Sequence, residues 1–395
     1  MCAGRLDRPG RFQSDLSPCI EGHAGAVLDV DFNPFDDSMF ASASEDTTIK
    51  LWNIPDDWEP TDAEGLAKPG KNLSESLTDL TGHSKKVTLL RYHPTASNIL
   101  LSTSADYTTK VWDIEKGEAV HTFTAMSDYA MDIVWDTRGD VYATSCKDKA
   151  VRFVDGRSGD LAQTIALAHE GTKSVKLAYM GETGKLLSVG ATKQSAREMK
   201  IWDIRNLNQS LTSEKVDTAS GAMIPLYDND TNVIYLCGKG DGIVRLYEFE
   251  DKAPYLHKLN DGFRSTVPAK GACMVPKRGL DVMKCETARI LKVTSSQGIH
   301  PLSFQVPRKS DAFQDDIFPD CASAIPAHSG EKWLLGSSRA PLTMSLNPDF
   351  QKSNGDQTKK KVFKSVSQLS KELDEADKRV RYLEKILKSH GISYD

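Results

Sequence analysis

Apolar and polar positions alternate with a period of two in short runs over most of the chain, as in VLDVDF from Val27 and TIKLW from Thr48. Turn residues separate the runs. The pattern predicts β-strands joined by tight turns. The runs also recur in a fixed frame. GHAGAVLDVDFNPFDDSMFASASEDTTIKLWNI begins at Gly22, and GHSKKVTLLRYHPTASNILLSTSADYTTKVWDI begins at Gly82. The two agree at Gly-His, at an apolar Val, at the Pro after the first strand, at S-x-S-x-D and at Trp. Worn copies follow in SCKDKAVRFVD, MKIWDIR and CGKGDGIVRLYEF. Units end at Trp52, Trp112, Val154, Trp202 and Tyr247, at intervals of 60, 42, 48 and 45 residues. The first interval is stretched by an insertion from Pro55 to about Thr78.

Intervals of this size match one four-stranded propeller blade, which takes ~40–45 residues. A lone four-stranded sheet leaves its faces bare, and radial stacking of blades covers them. The expected fold is therefore all-β, a β-propeller. Six units are countable, the last a degenerate one over about 265–306. The recurring polar residues fit a buried tie inside each blade, since a buried carboxylate needs partners. In the second unit the expected tie is His83, Ser104, Asp106 and Trp112. His23, Asp46, Trp52, Asp148, Trp202 and Asp241 hold the corresponding places elsewhere.

These units resemble WD repeats. Downstream strings narrow the resemblance to the coronin family, the actin-associated propellers. DKAPYLHKLN, KGACMVPKRGLDVMKCETARILKVT and above all IHPLSFQVPRKSDAFQDDIFPD carry it, and VDTASGAMIPLYDNDTNVIYLCGKGDG adds to it. The resemblance covers roughly Ser14 to Leu346, plus the tail. It implies a seven-bladed ring, so residues 1–20 are expected to be a remnant of a first blade that this sequence otherwise lacks. It also implies a propeller over 21–306 and an extension over 307–348 packed on its underside. A linker over 349–361 and a coiled coil over 362–390 would follow. Binding of filamentous actin, bundling or crosslinking of filaments, a cytoplasmic, cytoskeleton-associated location and contact with the Arp complex are what the family implies. The short linker speaks against the last.

The tail has its own period. Val362, Val366, Leu369, Leu373, Ala376, Val380, Leu383 and Leu387 are spaced by alternating steps of four and three. That is a heptad seam, and an isolated helix of this length is marginal in water, so a partner helix is expected. A helix docked on its own propeller is the competing expectation. Arg379 falls at g and Glu384 at e, the g-to-e′ step between parallel neighbours. The motif R-h-x-x-h-E resembles the trimerisation motif of short coronin coiled coils. Val at a with Leu at d also suits a dimer, so both states stay open, with trimer favoured. The expected oligomerisation set is Val366, Leu369, Leu373, Arg379, Val380, Leu383, Glu384 and Leu387.

Composition changes this picture little. The formal net charge is −5, and no basic face for nucleic acid stands out. The seven cysteines are scattered without a C-x-x-C pair, which fits a reduced compartment. There is no apolar run long enough to span a membrane. No metal or cofactor is expected, and no catalytic constellation stands out. GETGKLLS at Gly181 lacks the spacing of a phosphate loop and reads as a turn. Cations do gather where blade loops are expected to emerge on one face: Lys85, Lys86, Lys147, Lys149, Lys193, Arg197 and Lys239. A cationic rim on an acidic chain attracts an acidic partner. The expected function is filament binding through this rim. The alternative is a generic WD scaffold for peptides or phosphopeptides.

Overall fold

The fold is taken from a computed structural model in which residues 19–55, 72–295, 298–309 and 312–350 are described. Of the tail, 373, 374, 376 and 378–381 are described as well. Six antiparallel sheets follow one another along the chain. The first holds β1 (Val27–Phe32), β2 (Met39–Ser44), β3 (Ile49–Asn53) and β4 (Thr78–Leu80). In the second, β5 (Val87–Tyr92), β7 (Ile99–Ser104), β8 (Thr109–Asp113) and β9 (Glu118–Phe123) pair in order, and the short β6 (Ala96–Ser97) lies in the loop after β5. The third is β10 (Ala130–Trp135), β11 (Val141–Cys146), β12 (Val151–Asp155) and β13 (Leu161–Ile165). The fourth is β14 (Lys176–Tyr179), β15 (Lys185–Ala191), β16 (Arg197–Asp203) and β17 (Thr212–Asp217). The fifth is β18 (Met223–Asp228), β19 (Val233–Gly238), β20 (Ile243–Phe249) and β21 (Leu256–Arg264). The sixth has three strands, β22 (Ala269–Met274), β23 (Glu286–Thr294) and β24 (Ile299–Gln305).

Strand sequence follows position in the blade. Second strands of blades two to five have a neighbouring blade on each face. They are buried almost along their length and built of small or aliphatic residues, as in ILLSTS of β7. Outer strands such as LAQTI of β13 are mostly exposed. Apolar clusters fill the seams. Met39, Leu51, Leu90 and Trp112 join blades one and two, Phe153, Leu177 and Trp202 join three and four, and Tyr235, Cys237 and Ile290 join five and six.

The first strands line the axis and carry acids for a reason. Asp29 Oδ2 accepts from the Leu90 amide at 2.9 Å, and Asp31 Oδ2 accepts from the Tyr92 amide at 2.6 Å. Asp132 repeats the contact from blade three to the Leu177 amide at 2.9 Å. Each carboxylate satisfies an edge N–H of the next blade. Burial pushes the Asp31 carboxyl up to about 6, against the pull of Arg91.

On the face of β1 turned away from blade two, Leu28, Val30 and Phe32 are exposed. An ion pair between Arg278, after β22, and Asp37, in the β1–β2 turn, links the sixth sheet to the first. After β24 the chain runs along the underside. Phe313, Ile317, Phe318 and Leu346 cluster with Val282 of the sixth blade. β25 (Cys321–Ala322) pairs with β27 (Thr343–Met344). Between them, β26 (His328–Ser329) pairs in parallel with β6, and α1 (Gly330–Leu334) buries Trp333 among Ile99, Trp135 and Val154 of blades two and three. Ser329 caps α1 by accepting from the Lys332 amide. Residues 313–346 thus form a strap from the sixth blade to the second and third.

Candidate functional site

The loops before each first strand and the turns between second and third strands emerge at one end of the ring, and buried ties hold them. In blade one the Trp52 indole donates to Ser42 Oγ at 2.8 Å. Ser42 Oγ meets His23 Nε2 at 2.7 Å, and His23 Nδ1 meets Asp46 Oδ2 at 2.8 Å. A carboxylate only accepts, so His23 carries its proton on Nδ1 and takes the Ser42 proton on Nε2. Asp46 also accepts from the Ala24 amide and from Thr48, which joins entering loop to turn. Burial works against its charge, but the Thr48, His23 and Ala24 bonds hold the carboxyl well below its ordinary range. Blade two repeats the arrangement with Trp112, Ser102, His83, Asp106 and Thr108.

Two close approaches require glycine. Gly22 and Gly82 both have φ +154, and a Cβ at either would meet the ring of Trp52 at 2.9 Å or of Trp112 at 3.1 Å. The Gly-His pair thus seats the imidazole beside the indole.

Ser104 does not belong to the blade-two tie. Its hydroxyl donates to Lys85 O at 3.0 Å and accepts from the Asp106 amide at 3.1 Å, while Ser102 occupies the centre. The two serines share one face of β7, but Ser104 lies at its end beside the turn, and only Ser102 is within reach of the indole. Blade four holds a complete tie with an unforeseen composition: Trp202, Ser188, His169 and Glu198. Ala precedes this His in place of Gly, and the turn before Trp202 is longer, so the acid falls late. The signal that finds it is the His-to-Ser spacing, 19 residues in all three blades.

Blades three and five replace the His with arginine. Asp148 accepts from Arg152 and from Ser127 Oγ, both at 2.5 Å. Asp241 accepts from Arg197 Nη2 at 2.7 Å, and Arg197 also makes a bidentate pair with Asp217 at 2.6 and 2.5 Å. Arg245 completes the group, 2.7 Å from Asp217. Arg197 is therefore not a surface cation in a turn, as its sequence position implies. It opens β16, its side chain is 1% exposed, and it locks blades four and five together. The turn ends earlier than the sequence suggests because Ala196 closes back on Thr192.

The lysines fall into three kinds. Lys193 and Lys239 are exposed. Lys149 is half-buried and donates to Glu170 O at 2.7 Å, and Lys86 lies 3.7 Å from Glu45. Lys85 and Lys147 lie over aromatic rings, 5.6 Å from the centroid of Tyr107 and 5.0 Å from that of Tyr129. Those two tyrosines, and Lys173, bonded to Ser195 O and Ala219 O, escaped the sequence reading.

Among the described residues no group of three metal-ligating side chains gathers, and no helix is long and apolar enough to cross a membrane. In the tail, Leu373, Arg379 and Val380 are helical, with Leu373 and Val380 64% and 52% exposed. Val366, Leu369, Leu383, Glu384 and Leu387 lie outside the described residues.

The repeat pattern described as "WD domain, G-beta repeat" matches residues 15–53 and 74–113, and a further type of WD40 repeat matches 299–341. Over 351 residues the chain is 40% identical to coronin-2B of Xenopus tropicalis, covering 88% of this chain and 70% of that protein. The chain belongs to the coronin family. Human coronin-2A is 39% identical over 84% of this chain, and a coronin-like protein of Schizosaccharomyces pombe is 36% identical over 88%. This coronin spans 62% and 56% of the lengths of those two relatives. The WD40 domain of Toxoplasma gondii coronin superposes with a TM-score of 0.77 at 32% identity, over 83% of this chain and 82% of that one. A chain of the mitotic checkpoint complex, at 14% identity and a TM-score of 0.55, shares the fold alone.

Proposed function

We propose that this coronin is a non-enzymatic, cytoplasmic, cytoskeleton-associated protein that binds filamentous actin through the loop face of its propeller. Its C-terminal helix would multiply that face by parallel self-association, as a trimer in preference to a dimer, and so bundle or crosslink filaments. Membership of the coronin family carries the reading, because the propeller architecture alone hosts many functions. Two features support it. Lys85, Lys86, Lys147, Lys149, Lys193 and Lys239 sit on loops at one end of the ring. Leu373 and Val380, one heptad apart, are uncovered by the propeller and need a partner. Linking copies raises avidity by about 10²–10⁴ where the linker spans neighbouring sites.

Cosedimentation with filamentous actin over a salt series tests the reading. Pelleting at low salt that falls as salt rises is the expected result. No pelleting at low salt would overturn it.

A further inference from the structure

The loop face is not a uniform field of lysines. In blade two, Lys85 of the entering loop lies over Tyr107 of the turn. In blade three, Lys147 of the turn lies over Tyr129 of the entering loop. Loop and turn have exchanged roles, yet each adjacent blade ends with one ammonium held over one ring. Backbone bonds fix both clips. Ser104 Oγ donates to Lys85 O, the Ala105 amide to Lys86 O, and the Lys147 amide to Tyr129 O.

Tyr107 carries a second sign. It follows the tie carboxylate Asp106, as Thr47 follows Asp46 and Lys149 follows Asp148, and all three have positive φ, of 66, 72 and 73°. A left-handed backbone strains such residues. Blade two spends that strain on a large ring that remains 40% exposed. Among the described residues neither Lys85 nor Lys147 has a carboxylate partner, whereas Lys86 lies near Glu45 and Lys149 is tied to a backbone carbonyl. An ordered cation loses little rotamer freedom on binding. The acids carried by these loops and turns are Asp106, Asp128 and Asp148. The first and last are occupied by the ties, and Asp128 accepts from the Tyr129 amide.

We propose that Lys85, Tyr107, Tyr129 and Lys147 form one recognition patch on blades two and three for a carboxylate-rich protein surface. This deepens the filament-binding reading and rests on it for the identity of the partner. The two lysines would pair with carboxylates, and the two rings would pack on the aliphatic stems beside them. Lys193 and Lys239, on blades four and five, lie outside the patch.

The test uses the full chain and three double variants: Lys85→Ala with Lys147→Ala, Tyr107→Leu with Tyr129→Leu, and Lys193→Ala with Lys239→Ala. The first probe is filamentous actin in cosedimentation, and the second is polyglutamate immobilised on resin. Thermal unfolding checks that each variant folds. The lysine pair of the patch should weaken filament binding by about tenfold or more, and the charge-neutral tyrosine pair by several-fold. The Lys193/Lys239 pair, on the same loop face but outside the patch, should weaken it less than the patch lysines do. Equal losses from both lysine pairs, or an unaffected tyrosine pair, would overturn the patch. If the parent chain fails on filaments but holds polyglutamate through the patch residues, the patch stands and the choice of partner falls. If it binds neither probe, both fall.

Discussion

The indole of Trp333 stands edge-on to the imidazole of His93, ring centroids 4.7 Å apart, although 240 residues separate them in the chain. Trp135 meets both rings, and the Arg157 guanidinium lies 5.0 Å from the Trp333 centroid. Arg157 also donates to Trp333 O, Ser337 O and Asp140 Oδ1. One side chain therefore seats the strap.

Trp333→Ala should remove roughly 3–5 kcal/mol of local stability, since a fully buried Trp leaves a cavity. The loss should appear first as proteolytic cleavage between residues 312 and 350. Cleavage no faster than in the parent chain would show that the strap is held elsewhere.

The same joint should loosen in acid. His93 Nδ1 accepts from the Thr95 and Ala96 amides, and Nε2 donates to Gly139 O, so a second proton has no place. Burial pushes His93 down to about 3. Burial, then Arg339 and Arg157, also lowers His328. A histidine lowered on folding stabilises fully above its unfolded value of about 6.5, and that stability is lost as pH falls below it. Strap amides should exchange faster at pH 5.5 than at 7.5, and His328→Gln should reduce the difference while His93 sustains the rest. A pH-independent exchange rate, after correction for intrinsic chemistry, would contradict this.

Ser102→Ala should cost about 1–3 kcal/mol, because it strands the Trp112 N–H and His83 Nε2 in the core. Ser104→Ala removes bonds near the loop and should cost less. Urea unfolding of the two variants side by side distinguishes them, and an inverted order would restore Ser104 to the tie.

Arg197→Ala should destabilise by about 3 kcal/mol, as removing one partner of a buried pair does. Arg245, still 2.7 Å from Asp217, keeps the cost toward that lower figure. Filament affinity of the folded fraction should not change. A stable variant with lost affinity would return Arg197 to the binding surface.

Arg379→Ala and Glu384→Ala should each lower the oligomer mass in sedimentation equilibrium. An unchanged mass would mean that the apolar seam alone sets the state.

The repeat frame was legible because packing imposes it. A Trp, a His and a carboxylate that must meet inside a blade keep near-constant spacing in the chain. Reading that frame by its Gly-His and S-x-S-x-D letters hid His169 and Glu198, where a longer turn moved the acid. It also favoured Ser104 over Ser102; the two share a strand face, and only distance along β7 from the indole separates them. Arg197 was misplaced for a related reason, since a turn boundary decides whether a cation meets water or two carboxylates. The tyrosines under Lys85 and Lys147 had no periodic signal, because the roles of loop and turn are exchanged between the two blades.

The strap also has a mechanical meaning. Residues 313–346 lie between the tail and every blade in the order of the chain. Tension drawn through the C-terminal helix therefore reaches the Leu346 cluster, then the short β25–β27 pair and Trp333, before it reaches any blade. The anchor would yield first and the ring last, so a loaded tether would lengthen while its grip stayed whole.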